Sequence, residues 1–198
     1  MAKISSDERR GRILKAATAL FSRSGFDGTT TRKLAGKAGI SEALLFRHFP
    51  DKDHLYAAIL HQKMDEQVPI LLGDLNLEEK PEVLLQTLAK RIVLLHEKDN
   101  TFLRLLLYSA LERHKLSDLF FRKRNLPLIE FLADYFRKTS EKGLTRTVDP
   151  EEAAFAFTAM VFGFVQTRII FKIPQVVKDP AEERIERYVD IFLKGIRT

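Results

Sequence analysis

Thr30, Thr31, Arg32, Lys33, Ser41, Arg47, His48 and Lys52 crowd into one stretch of the chain, TTRKLAGKAGISEALLFRHFPDK. They are cations and hydroxyls, the groups that bind phosphate oxygens and polar base edges. No paired nucleophile and base accompany them. The chain has no Gly-x-Ser-x-Gly, no His-Glu-x-x-His and no phosphate-cradling glycine loop. The pair His96-Glu97 lacks the second His of a zinc helix, and His61 with Asp65 offers only two ligands on one helix face. With no cysteine there is no disulfide, thiol nucleophile, zinc-thiolate site or iron–sulfur cluster. The chemistry is recognition, and no catalytic residue, metal ligand or cofactor is expected.

The charge is placed to match. The chain of 198 residues has a formal net charge of +6. Residues 1–50 hold ten Lys/Arg and four Asp/Glu, whereas residues 51–198 hold 23 of each. The first quarter therefore carries the whole net charge. A compact basic segment beside a neutral one suggests a polyanion-binding module, with nucleic acid the foremost polyanion.

The elements that must position these groups are helices, since apolar residues recur at helical spacing and no long period-2 alternation appears. Ser5 with Glu8 has the spacing of a capping box, and Ile13, Ala16, Ala17, Leu20 and Phe21 form one face of the first helix. Gly25 is its expected stop. A second helix is predicted over Thr31–Ala38, capped by Thr30, with Leu34, Ala35 and Ala38 inside and Gly39 ending it. A third follows from the cap Ser41 to His48. Two helices of this length around a glycine-containing turn have the spacing of a helix-turn-helix. Arg32 and Lys33 sit at the N-terminus of its first helix, where backbone N–H groups also favour phosphate. Its second helix leaves Glu42, Ala43, Leu44, Phe46, Arg47 and His48 available outside Leu45 and Phe49, and such a helix fits the major groove.

From Arg12 through Ile59 the sequence resembles the TetR/AcrR family of bacterial transcriptional regulators. The resemblance is carried by the Gly25-Phe-x-Gly-Thr-Thr turn, the Leu34-Ala-x-x-Ala-Gly-Ile-Ser core and the Leu45-Phe-x-His-Phe-x-x-Lys ending. It implies an all-α, nine-helix TetR-like fold: a three-helix DNA-binding domain at 1–50 and a helical ligand-binding and dimerisation domain at 51–198. It further implies that Thr31, Arg32 and Lys33 touch phosphate, that Glu42, Ala43, Leu44 and Arg47 face base edges, and that Phe46, His48 and Lys52 lie along the backbone. Ser41 joins the same surface. Two residues depart from the pattern. Phe46 stands where many relatives have Tyr and cannot donate to a phosphate. Glu42 is an acid facing DNA, able either to accept from cytosine N4 or to repel phosphate.

Beyond residue 80, helices are predicted near 81–97, 101–114, 118–141, 150–172 and 180–197. The last two open alike, Asp149-Pro150 with Glu152 and Asp179-Pro180 with Glu182. The helix from 150 is apolar on nearly all sides, which suggests burial against its own domain and against a second subunit. A homodimer is expected through Ala153, Ala156, Met160, Gly163 and Thr167 with Ile185, Val189, Phe192 and Ile196 of the final helix, and with it a roughly palindromic double-stranded operator. A hydrophobic small-molecule effector is expected among Leu60, Met64, Phe102, Leu106, Phe120, Phe121, Phe131, Tyr135, Phe157, Phe164 and Gln166. Arg104, Tyr108, His114 and Arg168 could supply its polar end or face solvent. A repressor is the expected mode, although an activator or a ligand-independent regulator would share the same head. The N-terminal segment MAKISSDERR has no apolar h-region, and the longest uncharged apolar run, Ala153–Thr167, falls short of the ~20 residues that span a bilayer. A soluble cytoplasmic protein with no membrane partner is the expectation.

Overall fold

The computed structural model describes residues 5–115, 126–146 and 148–196. Among them every regular element is helical: α1 (Ser6–Ser24), α2 (Thr31–Ala38), α3 (Glu42–His48), α4 (Lys52–Leu72), α5 (Pro81–Lys98), α6 (Thr101–Leu111), α7 (Leu126–Glu141), α8 (Pro150–Val165), α9 (Pro174–Val177) and α10 (Ala181–Ile196). The all-helical expectation holds. The first part of the helix expected from residue 118 lies outside the described residues.

The chain divides into two compact units, residues 5–66 with 101–115, and residues 67–100 with 126–196. Packing thus groups the first 50 residues with part of α4 and with α6. Leu55, Tyr56, Ile59, Leu60 and Met64 of α4 and Phe102, Leu105 and Leu106 of α6 share one core with Ile13, Ala17 and Phe21 of α1, Leu34 of α2 and Leu45 of α3. Three short helices bury too little apolar surface alone, and α4 and α6 complete the core.

Local signals set the first unit's helix ends. Ser5 Oγ accepts from Glu8 N–H at 3.1 Å while Ser5 N–H donates to Glu8 Oε2 at 2.9 Å, closing the capping box. These bonds hold the Glu8 carboxyl below its ordinary value. Gly25, at φ +70°, ends α1, and any side chain there would collide with the Glu112 carboxylate.

The turn after Gly25 is clasped from α6 and its C-terminal end. Arg104 Nε donates to Ser22 O at 2.6 Å, Tyr108 Oη to Arg23 O at 3.0 Å, and Phe26 N–H donates to Glu112 Oε2 at 2.9 Å. The Phe26 ring sits against Tyr56 and His114, with centroids 5.4 and 4.2 Å away, and His114 Nε2 lies 3.3 Å from the Asp53 carboxylate. Tyr56 Oη donates to Leu105 O at 2.9 Å from a fully buried position, and burial pushes its phenol well above the ordinary range. Arg104, Tyr108 and His114 are thus engaged inside this unit, which answers the question the sequence left open about them.

In the second unit α5 packs against both α8 and α10, and α7 packs against α8. Asp149 Oδ1 accepts from the N–H groups of Glu151 and Glu152 at 2.9 and 3.1 Å, as an N-cap should. Asp179 instead faces the guanidinium groups of Arg184 and Arg187. The helix from 150 does not run regularly to 172: after Val165 it widens into a π-helical turn, Gln166–Ile170. Arg168 ties this turn down, donating to Glu97 Oε1 at 2.6 Å and to the carbonyls of Val176 and Asp179, each at 3.0 Å. It is committed to the fold, and it anchors the segment that holds the unforeseen helix α9. Pro150–Ile170 is long and apolar enough to cross a bilayer by length and composition, yet Ala153, Ala154, Phe157, Thr158, Val161, Phe164 and Val165 of that stretch are buried within the protein.

Candidate nucleic-acid interface

The residues that expose the basic surface are held from below by apolar anchors. Leu34 and Ala35 of α2 and Leu45 and Phe49 around α3 are buried, each under 5% exposed. Thr30 Oγ1 accepts from Lys33 N–H at 3.3 Å and opens α2. Gly39, at φ +69°, closes it: the Gly39 N–H donates to Gly36 O at 3.2 Å and the Ile40 N–H to Ala35 O at 3.0 Å. Ser41 Oγ then accepts from Leu44 N–H at 3.2 Å and starts α3. The angle between the two helices is set by this left-handed turn and the shared core, which is why a short local sequence can specify a reading head.

Above the anchors, Arg32, Lys33, Lys37, Ser41, Ala43, Phe46 and Arg47 are exposed, and Thr31, Glu42, Leu44 and His48 are half-buried. Phe46 keeps 43% of its surface, a large apolar ring standing among cations. The Arg10 guanidinium lies 5.1 Å from the centre of the Phe49 ring, so α1 adds a cation beside the end of α3. The residues expected to face DNA are thus all at least partly exposed, and one of them, Lys52, is also engaged within its own unit. Its ammonium sits 4.0 Å from the centre of the Phe26 ring and donates to Phe26 O at 2.8 Å and Thr29 O at 3.2 Å. It staples α4 to the turn before α2, because three carbonyl and ring acceptors surround it. Lys52 thereby positions the turn before α2.

One interaction was not foreseen: the Thr31 hydroxyl donates to Glu42 Oε2 at 2.6 Å, linking the first residues of α2 and α3. Both residues had been singled out, but separately. The signal available was that each starts a helix on either side of one tight turn.

The surface is that of a helix-turn-helix, and the comparisons with known proteins agree. Residues 13–59 match the profile of bacterial regulatory proteins of the tetR family, and residues 82–195 match that of the AefR-like transcriptional repressor C-terminal domain. The HTH-type transcriptional regulator YvkB of Bacillus subtilis is 32% identical over 192 residues, covering 93% of this chain and 95% of that protein. The chain belongs to the TetR family. It is a DNA-binding transcriptional regulator rather than an enzyme. Two solved TetR-type folds resemble it across most of their length. AibR, solved with isovaleryl coenzyme A and operator DNA, has a TM-score of 0.72 at 23% identity, covering 93% of this chain and 97% of that one. The ketosteroid transcriptional regulator KstR2 of Mycobacterium tuberculosis has a TM-score of 0.72 at 21% identity, with both chains fully covered.

Elsewhere this TetR-family chain departs from its expected sites. Of the expected dimer residues, Ala153, Ile185, Val189 and Ile196 are buried within a single subunit, where α8 packs against α5 and α7 and α10 packs against α5. Ala156 and Gly163 are exposed, and Met160, Thr167 and Phe192 half-buried. Of the expected effector residues, Leu60, Met64, Phe102 and Leu106 belong to the core beneath the reading head. Tyr135, Phe157 and Phe164 are buried in the second unit, where Phe131 and Gln166 are half-buried. Phe120 and Phe121 lie outside the described residues. Tyr135 Oη donates to Glu79 O at 2.8 Å, so this hydroxyl closes the loop before α5. A surface groove of about 340 Å³ runs between α7 and α8, lined by Leu126, Ile129, Glu130, Ala133, Asp134, Arg137, Glu151 and Phe155. Sequence reading missed it because its wall alternates apolar and charged residues, the ordinary pattern of a helix flank.

Proposed function

We propose that this regulator is a homodimeric repressor, acting in the cytoplasm on a roughly palindromic operator and released from it by a hydrophobic small molecule. The observation that carries the reading is the exposed cationic surface of α2 and α3, fixed on a buried apolar base. Thr31, Arg32 and Lys33 would hold phosphate, Glu42, Ala43, Leu44 and Arg47 would face base edges, and Phe46 and His48 would lie along the backbone. Repression is supported by the match of residues 82–195 to a repressor C-terminal domain. Pairing is supported by the outer face of α8, where Phe155, Ala156, Ala159 and Gly163 are exposed, and by Ile191 of α10, which keeps 65% of its surface. A Cβ added at Gly163 would meet nothing within 4 Å, which leaves room for a close helix. AibR shares the fold and was solved with isovaleryl coenzyme A, so an acyl thioester is the first effector class to try. Its effect can be no larger than its difference in affinity between DNA-competent and released states.

Selection of purified protein against random duplexes tests this function. Two half-sites in inverted repeat, centred about 34–36 Å apart, are expected, with affinity falling steeply as salt rises. Enrichment of a single unrepeated site, or of none, overturns it.

A further inference from the structure

The Thr31–Glu42 hydrogen bond asks two incompatible things of the reading head. A threonine hydroxyl has one hydrogen to donate, and here it goes to Glu42 Oε2 at 2.6 Å, the short distance of a bond to an ionised acceptor. Phosphate oxygens only accept. While the pair is closed, the Thr31 hydroxyl can present to a phosphate nothing but lone pairs, with a carboxylate beside them. For Thr31 to hold the DNA backbone, the hydroxyl must rotate away from Glu42.

That rotation leaves the carboxylate without its partner. Glu42 is half-buried, so in the free protein water can take the hydroxyl's place, but a docked duplex excludes that water. The replacement has to come from DNA. In the major groove, guanine presents acceptors at N7 and O6 and thymine an acceptor at O4, which a carboxylate repels. Cytosine presents the N4 amino donor, and adenine an amino donor flanked by the N7 acceptor. Cytosine is the base that offers a donor without an adjacent acceptor.

We propose that Glu42 is a specificity-determining residue that acts through Thr31: it holds the Thr31 hydroxyl in the free protein and releases it to a DNA phosphate only where the base it meets offers an amino group, cytosine foremost. A phosphate contact, ordinarily blind to sequence, thereby becomes conditional on one base. On other sequences the pair stays closed, the phosphate contact is not made, and the carboxylate opposes the backbone. No covalent bond changes; one hydrogen bond is exchanged for two. The inference rests on the DNA-facing role of α2 and α3 and adds the coupling between them.

The test is a double-mutant cycle in the full-length protein, with Glu42→Ala, Thr31→Val and the double variant. Binding is measured by fluorescence anisotropy to two labelled probes, a random-sequence duplex pool and a pool enriched by the wild type. Glu42→Ala is expected to tighten binding to the random pool roughly tenfold, the scale of a hydrogen bond to a charged group, and to lose preference for cytosine at one position of each half-site. In the Thr31→Val background the gain on the random pool should be clearly smaller, since only the repulsion of the backbone by the carboxylate is then relieved. Glu42→Gln keeps an oxygen for the Thr31 hydroxyl and should move less than Glu42→Ala; it also guards against a loss of α3, checked by circular dichroism. An equal gain with and without the Thr31 hydroxyl would show simple charge repulsion and overturn the coupling, as would no gain at all. A wild type that binds neither pool would instead overturn the DNA-facing role itself.

Discussion

The two units of this regulator solve opposite problems. In the unit that reads DNA, residues 5–66 with 101–115, only Phe46 and Leu111 among the large apolar residues described are exposed. In the other, Ile70, Val83, Leu94, Leu126, Leu144, Phe155, Phe171, Ile173, Val177 and Ile191 are exposed. The reading unit also ties its loops down with polar groups from distant sequence: Arg104, Tyr108 and Glu112 all grip residues 22–26. DNA is a fixed lattice of phosphates, and a surface that reads it loses affinity whenever it must be ordered on binding. A reader is therefore best finished in advance. The apolar surface left over on the other unit is what the proposed pairing with a second copy and response to an effector would use.

The comparison breaks most directly at Phe21, which is fully buried against Tyr56 with ring centres 5.0 Å apart. Phe21→Ala should cost about 3–5 kcal/mol and lower the melting temperature of the chain by roughly 6–20 °C. Leu94→Ala, on the surface of α5 where the side chain is 57% exposed, should stay within roughly 0.5 kcal/mol. Thermal denaturation followed by circular dichroism measures both, and similar losses for the two variants would erase the distinction between a finished and an unfinished surface.

A smaller effect sharpens the reading surface itself. Arg32→Ala should weaken binding to all duplexes alike and reduce the salt slope by about 1. Arg47→Ala should cost about 1–3 kcal/mol mainly on the preferred sequence. A base-substitution panel titrated at two salt concentrations separates them, and the reverse pattern would exchange their roles.

The smallest effect concerns α1. The Glu8 carboxyl is held below its ordinary value of 4.5 by its bonds to Ser5. A group whose pKa is depressed on folding adds stability above its unfolded pKa and loses it as pH falls through the folded one. Helicity of the N-terminal turn should therefore decline below about pH 4.5 in the wild type. In Glu8→Gln this acid-dependent step should be missing. Circular dichroism across an acid titration reads the difference.

Much of the reading unit was legible in the sequence because its determinants are local. Ser5, Thr30 and Ser41 cap helices that begin at the next residue, and Gly39 ends α2 in the conformation only glycine adopts freely. The second unit was legible in number and order of helices and less so in its faces. A helix such as α8, apolar all round, announces burial without saying which side meets its own core. Ala153 was therefore assigned to a partner when it faces inward, whereas Phe155, two residues on, is exposed. Likewise Lys52 reads as one more cation in a basic segment until the Phe26 ring and two carbonyls are seen around it.

By itself, then, the sequence determined the family, the helical architecture and the location of all the net charge. These depend on periodicity, caps and turns within a few residues of each other. Tertiary structure alone decided that α4 and α6 finish the core of the reading head, that Glu112 holds the turn at Phe26 from 86 residues away, and that Thr31 and Glu42 share a hydrogen bond. The physical reason is that a side chain's partner across the fold depends on distances the chain acquires only when every helix is packed.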